Sequence, residues 1–522
     1  MLPSAFEILG PIMVGPSSSH TAGALRLARV ARELAPAPVV AVDFTLYNSF
    51  ARTYLGHGTN RALVAGMLGL DTDDERIRDS FELAQEAGLE VHFTIADEDV
   101  SLHPNTVSIA MTLADGNALT VRGESVGGGR VRISSVDNVA VSIGGEYPTL
   151  LIHHRDKPGV LAKICGALSE DFINIATIRT FRNERGGDAY TIVELDEALD
   201  HIMVETIRDR AGASFATSIT IPGALPLNEK GAIQADFSCA ADLLTLCAAE
   251  PCSIGAVMRR REGSLLGSLE TADKAMDRVM DAMKAEVAST IKEPQRSLGG
   301  FLHGQAKDVF GHRRQLAEPL LGLTLSNATA YAMAVLERSA AMGVIVAAPT
   351  AGSAGVVPGA LIACAEALGS FDRLPSALWC AAAVGAIVTA NGSVSGAEGG
   401  CQAEVGTASA MAAAGLCQML YGSPEACLNA AAIALGNLLG LVCDPAQGLV
   451  EFPCQNRNAI GVANAMTAAQ LSLSGVVSPV PFDEAVAAMV MVGNSLPVSL
   501  RETAQGGLAV CPSVCAECGA CD

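Results

Sequence analysis

Three cysteines stand out for what surrounds them. Cys401, Cys443 and Cys454 sit in the stretches GGCQAE, LVCDPA and FPCQNRN, each beside Gly, Pro or Asn. Backbone breaks of this kind can turn thiolates from separate elements toward a common centre, where metal or redox chemistry becomes possible. Spacing alone carries little, because the chain has 15 cysteines. Cys165, Cys239, Cys247, Cys252, Cys364, Cys380, Cys417 and Cys427 lack such a setting and read as small core hydrophobes. Four more, Cys511, Cys515, Cys518 and Cys521, crowd the C-terminus with a spacing that would serve a separate zinc or iron–sulfur site.

Acid–base groups gather toward the other end. Ser17, Ser18, Ser19, His20 and Thr21 precede residues 22–33, whose apolar positions recur at helical spacing. Hydroxyls at a helix start cap its free amides, and the same amides can receive a carboxylate. His57 lies between Gly56 and Gly58, followed by Thr59. Such a histidine is either an ordinary loop residue or a proton acceptor, for which neutral imidazole is suited near neutral pH.

The elements that would position these groups fall into three regions. Up to residue 147, β-like runs such as 39–43 and 108–113 alternate with helical stretches. Residues 148–222 read as strand, helix, strand, strand, helix, strand, entered through Asp156-Lys157-Pro158-Gly159-Val160-Leu161. This order resembles an ACT regulatory domain. The resemblance implies an amino-acid effector at Gly159, Val160 and Leu161, where a first helix begins, and at Asn174 and Ile175; a ligand-free module of the same shape is the alternative. A linker at 223–231 leads into Ala-rich helical patterns over 232–510, then the Cys-rich tail 511–522. The chain is thus predicted to be multidomain, with an N-terminal α/β (α+β) domain, a small βαββαβ domain and a large, mostly α-helical C-terminal domain.

The phrases SGAEGGCQAEVG, LGLVCDPAQGLVEFPCQNRNAIG, APTAGSAGVVPG and LRETAQGGLA resemble the α domain of bacterial iron–sulfur L-serine dehydratases, and SSSHT and GHGT resemble its β domain. The resemblance covers nearly the whole chain. It implies a [4Fe–4S] cluster on Cys401, Cys443 and Cys454 with one iron left open as a Lewis acid, and no pyridoxal phosphate. It gives Ser17, Ser18, Ser19 and Thr21 to the substrate carboxylate, places Gly58 and Thr59 at the site, and makes His57 the first candidate for the base, His20 the second. Lys307, at the end of SLGGFLHGQAK, would offer a cation to the carboxylate or merely solvate a helix face; His303 stands where the pattern has a glycine. Asn327, Thr350, Gly352, Ser353 and Asn391 look like further pocket loops, or else helix ends and turns. Cys521 would cap the open iron. Rival readings are a cysteine desulfidase, a threonine dehydratase, or an amino-acid sensor storing iron.

Composition narrows the classes further. A formal charge of −21 argues against nucleic acid, whose phosphates call for clustered Lys and Arg. Residues 1–10 lack a secretion signal, and the apolar run 377–390 reads as a buried helix rather than a span, so a cytoplasmic enzyme without a membrane partner is expected. A homodimer is the natural assembly for an ACT-bearing chain. Only 4% of residues are aromatic while 50% are hydrophobic, so the cores must be packed from Ala, Val, Leu and Gly.

Overall fold

The computed structural model describes residues 2–144, 147–219, 233–312 and 319–515. The chain forms two compact units, Ser19–Leu227 and a discontinuous one made of Met1–Ser18 with Asn228–Asp522.

In Ser19–Leu227, a six-stranded sheet has the spatial order Glu90–Ile95, Val39–Leu46, Thr106–Leu113, Ala118–Gly127, Arg130–Val136, Val139–Ile143. The first pair is parallel and the others antiparallel, so the α+β form of the expectation holds. Alternating side chains such as Val107, Ile109, Met111 and Leu113 are buried, as a sheet covered on one face requires. Helices Ala24–Leu34 and Thr59–Leu68 approach closely: a β-carbon on Gly66 would lie 2.2 Å from the Leu25 carbonyl oxygen.

The second module of this unit has strands Thr149–Arg155, Ile175–Arg182, Asp188–Leu195 and Phe215–Ile219, with helices Val160–Glu170 and His201–Ala211. This is the expected βαββαβ order. The four strands form one antiparallel sheet, with Phe215–Ile219 beside Thr149–Arg155. Leu150, Ile152, Val193 and Leu195 pack with Ile164, Leu168, Val204 and Ile207 from the helices.

The discontinuous unit is helical. Its centre is helix Thr407–Met419, buried along its whole length. Leu374–Asn391, Val356–Leu368, Pro424–Gly436 and Cys454–Leu473 pack around it. Small residues make this possible: β-carbons on Gly355 and Gly415 would lie 2.2 Å and 3.0 Å from the carbonyl oxygens of Ala332 and Ala377. Two segments, Ala351–Leu368 and Phe371–Asn391, are long and apolar enough to cross a membrane, yet most of each is buried inside the fold. The expected buried helix at 377–390 is thus part of a longer one.

The first residues of the chain belong to this helical unit, so the compact unit that follows begins at Ser19 rather than at the chain start. Ile12–Val14 pairs antiparallel with Val344–Val346, a short ribbon in a region where almost no strand was expected. The fully buried Arg261 donates to the carbonyls of Leu2 and Pro3 at 2.7 and 3.2 Å, and Ser4 donates to Glu262 at 2.6 Å. Phe6 meets Trp379 edge-on at 5.7 Å.

Substituting Gly355→Ala forces a methyl into the Ala332 backbone and should cost about 1–3 kcal/mol. Gly436→Ala, at an exposed helical position with nothing within 4 Å, should instead gain about 0.5–1 kcal/mol. Urea midpoints of the two variants check the pair.

Candidate active site

The helical unit brings Cys401, Cys443 and Cys454 into one neighbourhood, all buried. Cys401 follows the short helix Gly396–Gly399 and opens a wide π-helical turn, Gln402–Gly406. Cys443 lies on a loop held by the chain near Arg501: its N–H donates to the Leu500 carbonyl at 2.9 Å, and its carbonyl accepts from Glu502 N–H at 2.8 Å. Cys454 is the first residue of helix Cys454–Leu473.

Burial raises all three thiols, Cys401 to about 12 and Cys443 and Cys454 well above the ordinary range. Cys401 acts on both of the others, and Cys454 on Cys443, so the three share one electrostatic environment. The Arg457 guanidinium works the other way on Cys401 and Cys454. It is anchored by the Val442 carbonyl at 2.8 Å and by Asp444 at 2.7 Å.

A residue without an assigned role in the sequence, Glu404, lies against this group. Its Oε2 is 4.0 Å from Cys443 Sγ, and its Oε1 accepts from Thr350 Oγ1 at 2.8 Å. A β-carbon on Gly396 would fall 2.6 Å from Glu404 Oε2 and 3.1 Å from Cys443 Sγ, and one on Gly352 would fall 3.0 Å from Glu404 Oε1. Only glycine fits either place without movement. Desolvation raises the Glu404 carboxyl, opposed by the Thr350 hydrogen bond and Arg457. The Glu502 carboxyl is raised to about 8 by burial and by Glu404.

The residues beside Cys454 reach out to the surrounding walls. Glu451 accepts from Ser297 Oγ at 2.6 Å and from the amides of Gly299 and Phe301 at 2.6 and 3.0 Å. Gln455 donates to Glu337 at 2.7 Å, and the same Glu337 oxygen accepts from Ala306 N–H. Asn458 accepts from Gly355 N–H at 3.1 Å and donates to the carbonyls of Gly352 and Cys454 at 2.8 and 2.9 Å. Among the described residues, no three His, Cys, Asp or Glu side chains converge in the manner of a single-ion site.

The other expected pocket residues of this unit are mixed. Thr350 and Ser353 share a 3.1 Å hydrogen bond and join the Glu404 group. Asn327 Oδ1 is buried with no hydrogen-bond partner among the described residues. Lys307 is exposed and donates to the Lys292 carbonyl at the end of helix Leu269–Lys292. Asn391 ties its helix end to the Ser238 carbonyl at 2.8 Å. Both occupy helix-end roles. Cys518 and Cys521 lie outside the described residues; just before them, the Val514 carbonyl accepts from Gln447 at 3.3 Å.

In the other unit, His20 and His57 meet edge to face with ring centroids 4.6 Å apart, and Phe50 stands 5.3 Å from His20. His20 Nε2 is 2.9 Å from Ser49 Oγ, and Thr21 Oγ1 donates to the His57 carbonyl at 2.8 Å. Gly58, at φ +64°, turns the chain from His57 into helix Thr59–Leu68. Burial first, then the charges of His57 and His103, holds His20 well below its ordinary pKa. His103 is a third imidazole that no sequence motif marked.

Ser18–Gly23 winds as a π-helical turn, and Gly23, without a side-chain cap, precedes helix Ala24–Leu34. In the βαββαβ module, Gly159 at φ +89° precedes Val160 without a side-chain cap, Leu161 is exposed, and Asn174, just before Ile175, donates to Asp196 at 2.8 Å.

Comparison with known proteins gives three family matches along the chain: serine dehydratase beta chain over residues 4–135, ACT domain over 148–216 and serine dehydratase alpha chain over 210–509. A protein named L-serine dehydratase from Streptomyces coelicolor is 30% identical over 97% of this chain and 98% of its own length. A probable L-serine dehydratase alpha chain from Bacillus subtilis is 47% identical over 46% of this chain and 79% of its own. An L-serine dehydratase beta chain from Peptoniphilus asaccharolyticus is 42% identical over 39% of this chain and 92% of its own.

Replacing Glu451 by Ala leaves two amides and a hydroxyl without their acceptor and should lower stability by about 1–3 kcal/mol, read from urea midpoints. His20 gives a pH signature. Its folded pKa is below its unfolded value, so its contribution is intact above the unfolded pKa and is lost as pH falls toward the folded one. Wild type should therefore lose more stability than His20→Gln between about pH 7.5 and about pH 5.5.

Proposed function

The chain belongs to the serine dehydratase family, with alpha-chain, beta-chain and ACT segments in one polypeptide, and we propose that it eliminates water from L-serine, giving pyruvate and ammonia, with a [4Fe–4S] cluster on Cys401, Cys443 and Cys454. The observation that carries the cluster is the group of three buried thiols, Cys401 acting on the other two, beside the Arg457 cation. Cluster thiolates bind separate irons, so their sulfurs need not converge as the ligands of a single ion do. The donor set and the glycine cradle at Gly396 fit such a group. When bound, it supplies a Lewis acid for the departing hydroxyl.

The chain's own residues account for the rest. Arg457 offsets the negative charge of the thiolates, and Asp444 keeps its guanidinium aimed. Glu404, fixed by Thr350, lines the approach to Cys443. In the other unit, His20 stays neutral, and its Nε2 is occupied with Ser49. We assign acceptance of the α-proton of serine to a ring nitrogen of His57, with His20 packed against it as a positioning group. Loss of the α-proton and the 3-hydroxyl gives aminoacrylate, which tautomerises and hydrolyses to pyruvate and ammonia.

The test is anaerobic reconstitution with iron and sulfide, followed by pyruvate assays with L-serine, L-threonine and L-cysteine. Brown protein, preference for L-serine and bleaching of colour and activity together in air are expected. His57→Ala should lower kcat by about 10²–10⁴-fold with iron content unchanged, whereas Cys401→Ala should lose iron as well as activity. A colourless, air-stable and fully active preparation overturns the reading.

A further inference from the structure

Outside the triplet, the turn between helices Ala240–Ala249 and Ile254–Leu265 carries two thiols that the serine reaction does not use, Cys247 and Cys252. Cys247, in the last turn of the first helix, is buried, and Cys252 is partly exposed. The Cys252 N–H donates to the Cys247 carbonyl at 3.4 Å. A hydrogen bond of that reach folds the chain back over the final helical turn and sets the two side chains against each other. Burial, reinforced by the neighbouring Cys252 thiol, pushes the Cys247 thiol up to about 12.

Arg260, on the second helix, faces the pair. Its Nη2 donates to Cys252 Sγ at 3.3 Å, and its Nη1 is held by Glu250. Cys252 also directly precedes Ser253, whose hydroxyl caps the second helix by accepting from Ala256 N–H at 3.3 Å. The partly exposed Cys252 is thus held by a cation, with the buried Cys247 one turn away.

We propose that Cys247 and Cys252 form a redox-active dithiol that a small disulfide converts to an intrachain disulfide, Cys252 being the entry thiol and Cys247 the resolving one. Cys252 gives its proton to solvent and its sulfur attacks one sulfur of the small disulfide. That S–S bond breaks, and the departing thiolate takes up a proton. Cys247 then loses its proton and attacks Cys252 Sγ in the mixed disulfide, releasing the second small thiol. Two protein thiols are oxidised and one small disulfide is reduced to two thiols. The backbone bond from Cys252 to Cys247 holds the two residues across one short turn, which is the proximity a disulfide between them needs. Cys427 also acts on the Cys380 thiol, but both are fully buried, at 0% and 1% exposure, so no small disulfide reaches them.

The test equilibrates the full chain, cluster in place and under argon, with oxidised and reduced glutathione, then alkylates the remaining thiols after denaturation and maps them by peptide mass spectrometry. The peptide carrying Cys247 and Cys252 should escape alkylation at both and be lighter by two hydrogens, while Cys380 and Cys427 are alkylated. Cys247→Ala should stop at a glutathione adduct on Cys252, and Cys252→Ala should leave Cys247 without one. Turnover of L-serine reports that the variants are folded. Three results each overturn the proposal: both thiols still alkylated in wild type, a persistent adduct on wild-type Cys252, or an adduct on Cys247 in Cys252→Ala.

Discussion

A buried polar group left without a partner costs more than its hydrogen bond returns, and the start of the Cys454 helix is built on that constraint. Glu451, Gln455 and Asn458 are all buried, and each satisfies its side chain on a different segment: the Ser297 loop, the Glu337 and Ala306 pair, and the Gly352–Gly355 turn. Arg457 does the same toward the Cys443 loop. None of these segments can drift without stranding a polar atom. The position of Cys454 is therefore set by a polar frame and not by packing of its own sulfur, and the residues that look like motif decoration around the cysteine are what hold the walls together.

Much of this was legible in the sequence, for physical reasons that differ by element. The βαββαβ module announced itself because alternation and turn residues are local signals, and its six elements occur in the expected order. The buried helix at 377–390 was readable from composition, and a core of small and aliphatic side chains follows from the scarcity of rings. The cysteines were readable because Gly and Pro beside a thiol mark a broken backbone.

What was not legible depends on distant partners. Glu404 and Glu451 are ordinary carboxylates in sequence and become important only through Thr350 and the Ser297 loop, contacts between residues far apart in the chain. His103 carries no flanking pattern. The π-helical form of the turn at Ser18–Gly23 could not be anticipated, because Ser, His and Thr before an apolar helix give the same signal whether the first turn is tight or wide. Lys307 and Asn391 show the converse: residues with a functional look whose side chains are taken up at helix ends.

The discontinuity of the helical unit has a consequence for biosynthesis. Ser4 finds its partner Glu262 258 positions later, and at roughly 5–20 residues per second the opening segment waits on the order of tens of seconds on the ribosome before that partner exists. The intervening Ser19–Leu227 has been synthesised by then. The chain is thus assembled as an insertion: the inner unit can settle during translation while the two ends of the outer one are kept apart. Mistakes in assembly should therefore concentrate where the leading segment must find its late partners, Ile12–Val14 with Val344–Val346 and Phe6 with Trp379, and a chaperone that shields this segment would act on those late closures.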